Sequence, residues 1–249
     1  MKKKLLDVDN VCKIFLRQKS DYGLKDIVLH SFRYFRKMRE AKKFVALQNV
    51  SFQLYSGESI AILGANGAGK STLLSLLAGI IKPSSGDIKA DGKIGLMLEL
   101  GSGFCHDLSG RENIYLNGLL LGAKKSYLDQ NVDKIIDFSG VRDFIDEPLR
   151  SYSTGMQSRL GFSIAVHIRP DILLIDEILA VGDSEFRRKC YNKLQNLKTT
   201  DVGIILVTHS LDDAVQFCDK AIYLENGTIR FHGDCREVID AIRKNNCEY

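Results

Sequence analysis

Residues Gly64 to Ser71 read Gly-Ala-Asn-Gly-Ala-Gly-Lys-Ser, which joins closely spaced glycines to a lysine and a hydroxyl. An apolar run typical of a buried strand precedes them, and a helical run from Thr72 to Ala78 follows. The backbone N–H groups of such a loop and the start of the next helix bind phosphates. Lys70 can reach the β- and γ-phosphates, and Ser71 can ligand Mg²⁺. The pattern predicts a P-loop, whose nucleotide contacts are expected from Gly64, Asn66, Gly67, Ala68, Gly69, Lys70, Ser71 and Thr72.

A second apolar run, Asp171 to Asp176, ends in two adjacent acids, Asp176 and Glu177. Beside a P-loop, Asp176 is expected to hold Mg²⁺ through water. Glu177 should point the other way and could be the general base that activates the attacking water. An apolar strand that ends in acids is common by itself, so the pairing with the P-loop is what indicates catalysis.

A third apolar run, Ile204 to Thr208, is followed by His209. A single histidine at a strand end is often structural. Ligands of open α/β sheets bind at the C-terminal edge of the strands, however, so His209 could hydrogen-bond the γ-phosphate. The candidate catalytic residues are therefore Lys70, Glu177 and His209.

Composition restricts the class of protein. The chain has 249 residues, is 45% hydrophobic and can bury a sizeable core. No window approaches the roughly 18 apolar residues that span a bilayer, and no signal peptide is recognisable, so we expect a cytosolic protein. The six cysteines show no Cys-x-x-Cys pair, which argues against a zinc site or a disulfide framework. A net charge of +4 does not indicate a nucleic-acid partner.

Strand-like runs alternate with helical patterns, which predicts an α/β sheet with parallel strands. The pattern is mostly helical from 98 to 168, with helices expected at Arg111 to Leu121 and Ser126 to Phe138. Asn226-Gly227 predicts a hairpin turn, and a helix is expected to follow it, so that 220–249 forms a C-terminal hairpin and helix. The strands are expected at Ser59 to Leu63, Lys93 to Leu98, Asp171 to Asp176, Val202 to Thr208 and Lys220 to Glu225.

An insertion at 16–43 combines apolar residues at helical spacing with clustered Arg and Lys. It predicts a basic amphipathic helix. Two interpretations remain open, a packed helix with a solvated face or a surface that meets membrane headgroups or a membrane partner. The apolar face comprises Leu24, Ile27, Val28, Phe32, Phe35 and Met38.

The segment Tyr152-Ser-Thr-Gly-Met-Gln-Ser-Arg159 stands about twenty residues before the acidic strand. It resembles the signature of the nucleotide-binding subunits of ABC transporters, a sequence that reads Leu-Ser-Gly-Gly-Gln. Ser153 and Gly155 match this pattern, whereas Tyr152, Thr154 and Met156 depart from it. The resemblance covers essentially the whole chain. It implies one domain over 1–249, an ABC ATPase with a RecA-like core, an antiparallel β subdomain and an inserted helical subdomain.

The resemblance also implies roles for single residues. Phe15 is similar to the aromatic that stacks on adenine, with Phe44 as a competitor. Glu99 stands where the family has a glutamine that reports on Mg²⁺. Asp183 resembles the aspartate of the loop that crosses between two subunits. Each of these is also compatible with a surface or packing residue.

In this family, ATP and Mg²⁺ are held between the P-loop of one subunit and the signature of another. The resemblance therefore implies a head-to-tail dimer of this chain, bound to two integral membrane permease subunits. Soluble ABC proteins that act on nucleic acid carry two cassettes or long heptads, neither of which is present, so no nucleic-acid partner is expected.

Several stretches, among them Leu108 to Asn117 and Asp176 to Asp183, resemble the ATPase subunits of bacterial polysaccharide exporters. This implies a peripheral protein on the cytoplasmic face of the inner membrane, which acts indirectly on an undecaprenyl-linked glycan. O-antigen is the preferred substrate over capsule, and both over teichoic acid. An importer or drug exporter of another ABC branch is the remaining alternative.

Overall fold

The computed structural model describes residues 2–17, 42–97, 103–168, 170–176 and 183–245. Within these ranges the chain forms two β-sheets, a group of helices inserted between strands, and a C-terminal hairpin and helix. None of the helices in these ranges has the length and apolar character needed to span a membrane. Glu99, Glu177 and most of the predicted basic insertion lie outside the described residues.

The larger sheet has six strands in the order β5-β6-β7-β3-β8-β9. The strands from β5 to β8 in this order pair in parallel, and β9 closes the sheet as the antiparallel partner of β8. The apolar runs of the sequence form the central strands because both of their faces are buried. The strand bounds are β3 Ser59–Leu63, β5 Ile94–Met97, β6 Ile172–Asp176, β7 Gly203–Val207, β8 Lys220–Glu225 and β9 Thr228–Asp234.

Two apolar clusters pack on opposite faces of this sheet. Since side chains alternate along a strand, Ala61 and Leu63 enter one cluster and Ile60 and Ile62 the other. The helices α1 Lys70–Leu77, α5 Ser184–Lys198, α6 Leu211–Phe217 and α7 Cys235–Lys244 supply buried side chains to these clusters. A helix of the inserted region adds Phe162, Ala165 and Val166 to the first of them.

The smaller sheet is antiparallel, with the order β2-β1-β4. Its strands are β1 Lys4–Arg17, β2 Lys42–Tyr55 and β4 Ser85–Ala90. The paired strands β1 and β2 extend to Arg17 and Lys42. The predicted insertion at 16–43 is therefore shorter at both ends than expected, because 16–17 and 42–43 belong to strands.

The helices of the inserted region form a third cluster of their own, which includes Ile114, Ile135, Leu149 and Leu160. They are α2 Gly110–Leu120, α3 Lys125–Ser139 and α4 Thr154–His167, with short 3-10 helices at Arg142–Phe144 and Leu149–Ser151. A capping box between Ser109 and Glu112 begins α2, and Gly140, with φ of 68°, ends α3.

The predicted hairpin forms as β8 and β9, with Asn226 and Gly227 both at positive φ in its turn. The five expected strands and the helices expected at 111–121 and 126–138 agree with the structure within one residue at each described end. The helix expected after the hairpin also forms, over Cys235–Lys244.

Candidate nucleotide-binding site

A cavity of about 600 Å³ opens at the C-terminal edge of the parallel strands. It is lined by the P-loop, by the ends of β6 and β7 and by the start of β2. The lining residues are Phe44, Ala46, Asn66, Gly67, Gly69, Lys70, Ser71, Thr72, Asp176, Val207, Thr208 and His209.

The P-loop passes close to neighbouring backbone, which explains two of its glycines. A Cβ on Gly64 would lie 2.4 Å from the carbonyl oxygen of Leu224. A Cβ on Gly69, which has φ of 108°, would lie 2.8 Å from the carbonyl oxygen of Ala46. Any side chain at these positions would push the loop away from β8 or β2. Gly64 and the buried Ala68 thus shape the loop without lining the cavity.

Lys70 lies inside the curve of the loop. Its Nζ donates to the carbonyl oxygens of Gly64, at 2.5 Å, and Ala65, at 3.0 Å. Burial lowers the pKa of the Lys70 ammonium, and the carboxylate of Asp176 acts in the opposite direction. An anionic phosphate in the cavity would restore the stability of the charged ammonium by the same Coulombic attraction.

Ser71 and Asp176 bring a hydroxyl and a carboxylate to the same cavity. Burial raises the pKa of Asp176, and Lys70 acts in the opposite direction. Hard oxygen ligands of this kind fit Mg²⁺, which usually keeps several waters and binds through one or two protein groups plus substrate phosphates. The described residues contain no cluster of three or more His, Cys, Asp or Glu side chains that could hold a metal alone. The site therefore fits Mg²⁺ that arrives with a nucleotide.

His209 is the second residue after the end of β7 and lines the same cavity. Its neighbour Thr208 is buried, and the Thr208 hydroxyl accepts a hydrogen bond from the Ser210 backbone N–H at 3.0 Å. This turn directs the chain from β7 into α6. Thr208, Val207 and Ala46 also line the cavity and were not expected from the sequence, although Thr208 adjoins the predicted histidine.

The aromatic residue at the cavity is Phe44. Phe15 pairs directly with Phe44 across β1 and β2, but it does not line the cavity. The ammonium of Lys13 lies 5.0 Å from the centre of the Phe15 ring instead. The structure thus favours Phe44 over the expected Phe15 as the aromatic wall of the site.

Ser153 and Gly155 lie at the exposed start of α4 and do not line the cavity. Ser153 is the N-cap, and its hydroxyl accepts a hydrogen bond from the Met156 backbone N–H at 3.2 Å. Gly155 carries no side chain that would cover the neighbouring backbone N–H groups. They lie at a helix start outside the cavity, and the N–H groups of helix starts are suited to bind anions.

Asp183 is the N-cap of α5, where its carboxylate accepts from the Phe186 backbone N–H at 2.8 Å. That hydrogen bond is the main reason that the pKa of Asp183 is lowered. The second carboxylate oxygen accepts from the Arg159 guanidinium at 2.5 Å. Arg159 stands on α4, so this ion pair joins the helix that begins at Ser153 to the loop of Asp183. No feature of the sequence pointed to Arg159 as a partner.

The sequence model of the family described as ABC transporter matches residues 47–180, which is more than half of the chain. The chain belongs to the ABC transporter family. The O-antigen export system ATP-binding protein RfbB of Klebsiella pneumoniae is 44% identical to it over 89% of this chain and 90% of that protein. The teichoic acids export ATP-binding protein TagH of Bacillus anthracis is 41% identical over 83% of this chain and 37% of that protein.

A solved structure of the ATP-binding cassette MJ0796, dimeric and bound to ADP and phosphate after hydrolysis, has a TM-score of 0.72 to this chain. The match covers 93% of this chain and 99% of the other at 21% identity. At that identity the likeness shows the fold, and it confirms the expected P-loop ABC architecture.

Proposed function

We propose that this ABC transporter subunit binds ATP with Mg²⁺ and hydrolyses it to drive export of a lipid-linked polysaccharide. The observation that carries the proposal is the single cavity shared by Lys70, Ser71, Asp176 and His209. Three separate strand ends deliver these side chains to one edge of the sheet, which is where open α/β folds bind their ligands.

Each cavity residue has a distinct role. Lys70 exchanges its two loop carbonyls for the oxygens of the β- and γ-phosphates. Ser71 and Asp176 would hold Mg²⁺, and the ion would supply positive charge beside the transferred phosphoryl group. Glu177, next in the chain after Asp176, takes the proton of the attacking water. His209 donates to the γ-phosphate and is released when that phosphate leaves. Glu99, the remaining candidate near the metal, stays a proposal from the resemblance.

A second copy of the chain completes the site. Ser153 and Gly155 do not line the cavity of their own chain, although both lie at an exposed helix start that is suited to bind phosphate. In a head-to-tail dimer, that helix start of one copy covers the γ-phosphate held by the other. Asp183 lies in the loop that crosses between them. Loss of the γ-phosphate removes the bridge and reopens the dimer.

The names of the relatives support a polysaccharide as the exported cargo. They describe ATP-binding proteins of O-antigen and teichoic acid export systems. We assign O-antigen as the first substrate to test, with capsule and teichoic acid as alternatives. The ATPase would work with two permease subunits on the cytoplasmic face of the inner membrane. The Arg and Lys residues of 16–43 would then face the anionic headgroups of lipid-linked glycan.

Glu177→Gln tests the catalytic assignment. The change keeps the size of the side chain but removes the base, so steady ATP turnover should be abolished. Nucleotide binding should persist, and the closed dimer should accumulate in the presence of ATP, as measured by light scattering. Turnover at the wild-type rate would remove Glu177 from the base role.

Replacement of residues 18–41 by a two-residue Asn-Gly turn tests whether the insertion acts at the lipid-linked substrate, as proposed. Because β1 and β2 pair up to Arg17 and Lys42, such a turn can close the ladder without disturbing it. Export in cells should fall much more than the ATPase rate of the purified protein. Normal export by this variant would contradict a role of the insertion at the substrate.

A further inference from the structure

The residue before the cap of α4, Tyr152, is almost fully buried, with 6% of its surface exposed. Its hydroxyl donates a hydrogen bond to the carbonyl oxygen of Phe144 at 2.6 Å. Burial raises the pKa of the Tyr152 phenol to about 12, so the group remains a neutral donor at physiological pH. The general family signature has a leucine at this position, which offers no hydrogen-bond donor.

A glycine on another helix leaves room for the phenol. Gly110 is the first residue of α2, and a Cβ on it would lie 2.3 Å from the hydroxyl oxygen of Tyr152. The next nearest atom is Cδ1 of Ile145, at 3.0 Å, which is the end of a flexible side chain. The Tyr152 hydroxyl is therefore the atom that most strongly excludes a side chain at 110.

Backbone pairing ties the same region together. The Leu149 N–H donates to the Leu108 carbonyl at 2.9 Å, and the Arg150 N–H donates to the His106 carbonyl at 3.0 Å. The side-chain amide of Gln157, on the first turns of α4, donates to the Leu149 carbonyl at 3.2 Å. The chain that leads into Ser153 is thus held from both sides.

We propose that Tyr152, seated against Gly110, is a positioning residue that fixes how the chain enters α4. The residue before an N-cap sets the direction of the chain into the helix. It thereby sets where the Ser153 hydroxyl and the N–H groups around Gly155 point. Tyr152 acts through these groups and touches no nucleotide itself. The inference rests on the proposed sandwich of ATP between two copies of the chain.

The first test is Tyr152→Phe, which removes one hydroxyl and keeps the ring. A misplacement of about 1 Å can cost up to about 100-fold in rate. We expect ATP turnover to fall by about ten-fold and, in the Glu177→Gln background, the ATP concentration that forms the dimer to rise by a similar factor. Binding of a fluorescent ATP analogue to dilute, monomeric protein should stay unchanged, because Tyr152 does not line the cavity.

The second test uses the contact with Gly110. Gly110→Ala should displace the phenol and reproduce the defects of Tyr152→Phe. In the double variant the hydroxyl is gone, and the nearest remaining atoms are Cδ1 and the carbonyl oxygen of Ile145, at 3.0 and 3.1 Å. Because these need only a small shift, the double variant should be little worse than Tyr152→Phe alone. Losses that simply add would show that the two residues act independently and would overturn the proposal.

Tyr127→Phe is the matched control. The Tyr127 hydroxyl donates to the carbonyl of His167 at 2.5 Å, so it makes the same kind of bond at the opposite end of α4. Its loss should leave dimer formation and turnover unchanged. An equal defect in Tyr127→Phe, or loss of analogue binding by monomeric Tyr152→Phe, would indicate general damage and overturn the proposal.

Wild-type behaviour of Tyr152→Phe in every assay would also overturn it. A wild-type protein that forms no ATP-dependent dimer is a different failure, since it contradicts the proposed function before any variant is compared.

Discussion

Two neighbouring aromatic residues, Phe44 and Phe15, differ in whether they line the nucleotide cavity. They pair directly across two antiparallel strands, so their rings lie on the same face of the sheet. Phe44 reaches the wall of the cavity, whereas the Phe15 ring contacts the Lys13 ammonium. The resemblance gave Phe15 as the first candidate and Phe44 as its competitor, because the sequence alone does not show which ring of this pair reaches the cavity.

Alanine variants should separate the two aromatics. Stacking of a base on an aromatic ring contributes about 1–3 kcal/mol. Phe44→Ala should therefore weaken ATP binding by about ten-fold or more, and Phe15→Ala should have a small effect. Competition between ATP and GTP for the same site provides the measurement, since loss of an adenine contact should also reduce the preference for ATP. A larger effect of Phe15→Ala would reverse the assignment.

At the scale of elements, the turn of the C-terminal hairpin helps to hold the P-loop in place. The turn of the β8–β9 hairpin lies between β2 and the loop. The Gly227 N–H donates to the Ala68 carbonyl at 3.1 Å, and the Gln48 N–H donates to the Gly227 carbonyl at 2.8 Å. The C-terminal hairpin is thus part of the support of the nucleotide site, although it lies far along the chain from the loop.

Gly227→Ala should damage both stability and nucleotide binding. Gly227 has φ of 78°, and a Cβ would lie 2.6 Å from the carbonyl oxygen of Ala46. Strain together with this clash should lower the free energy of unfolding by about 2–4 kcal/mol, as measured by denaturant titration. ATP affinity should also fall because the loop loses its support.

Gly122→Ala supplies the control for that variant. Gly122 has φ of 84°, and a Cβ there would meet no atom within 4 Å. The Gly122→Ala variant therefore measures the loss of unfolding free energy that comes from the backbone conformation alone, which we expect to be about 1 kcal/mol. ATP affinity that falls equally in both variants would contradict the role of the hairpin turn.

Hydrophobic pattern explains which elements could be predicted. The strands β3, β6 and β7 are short apolar runs that are buried on both faces, and such runs stand out in a sequence. The strand β4 reads Ser-Gly-Asp-Ile-Lys-Ala and is largely exposed, so it carries no such signal. It forms because β1 provides a partner for its backbone, which is a long-range effect.

At the scale of the whole molecule, the candidate site is divided between two surfaces. The cavity holds the P-loop, Asp176 and His209, and the exposed start of α4 holds Ser153 and Gly155. The sequence motifs predicted both parts as nucleotide contacts, but spacing along the chain cannot show that Ser153 and Gly155 lie outside the cavity. The Arg159–Asp183 ion pair was missed for the same reason, since its partners lie on separate elements.

Mixing two inactive variants tests this division. Lys70→Ala removes the phosphate contact of the cavity, and Ser153→Glu places a negative charge where the partner's γ-phosphate should lie. A mixed dimer keeps one intact site, formed by the unaltered cavity of one copy and the unaltered signature of the other. Random pairing should restore about a quarter of the wild-type ATPase activity.

That recovery should depend on protein concentration, because dimer formation is bimolecular. Activity of the mixture equal to the sum of the two separate variants would show that each site is complete within one chain. Mixing each variant with an equal amount of the Lys70→Ala, Ser153→Glu double variant is the control, since neither of those combinations contains an intact site.

The pairing of Arg17 with Lys42 determines how easily the segment between them can change during evolution. Two paired strand ends hold the start and the finish of the intervening segment about 5 Å apart. The entropy of closing a flexible loop grows slowly, by about 0.6 kcal/mol for each doubling of its length. Segments of different length and sequence can therefore be exchanged at this point with little cost to the folding of the rest of the chain.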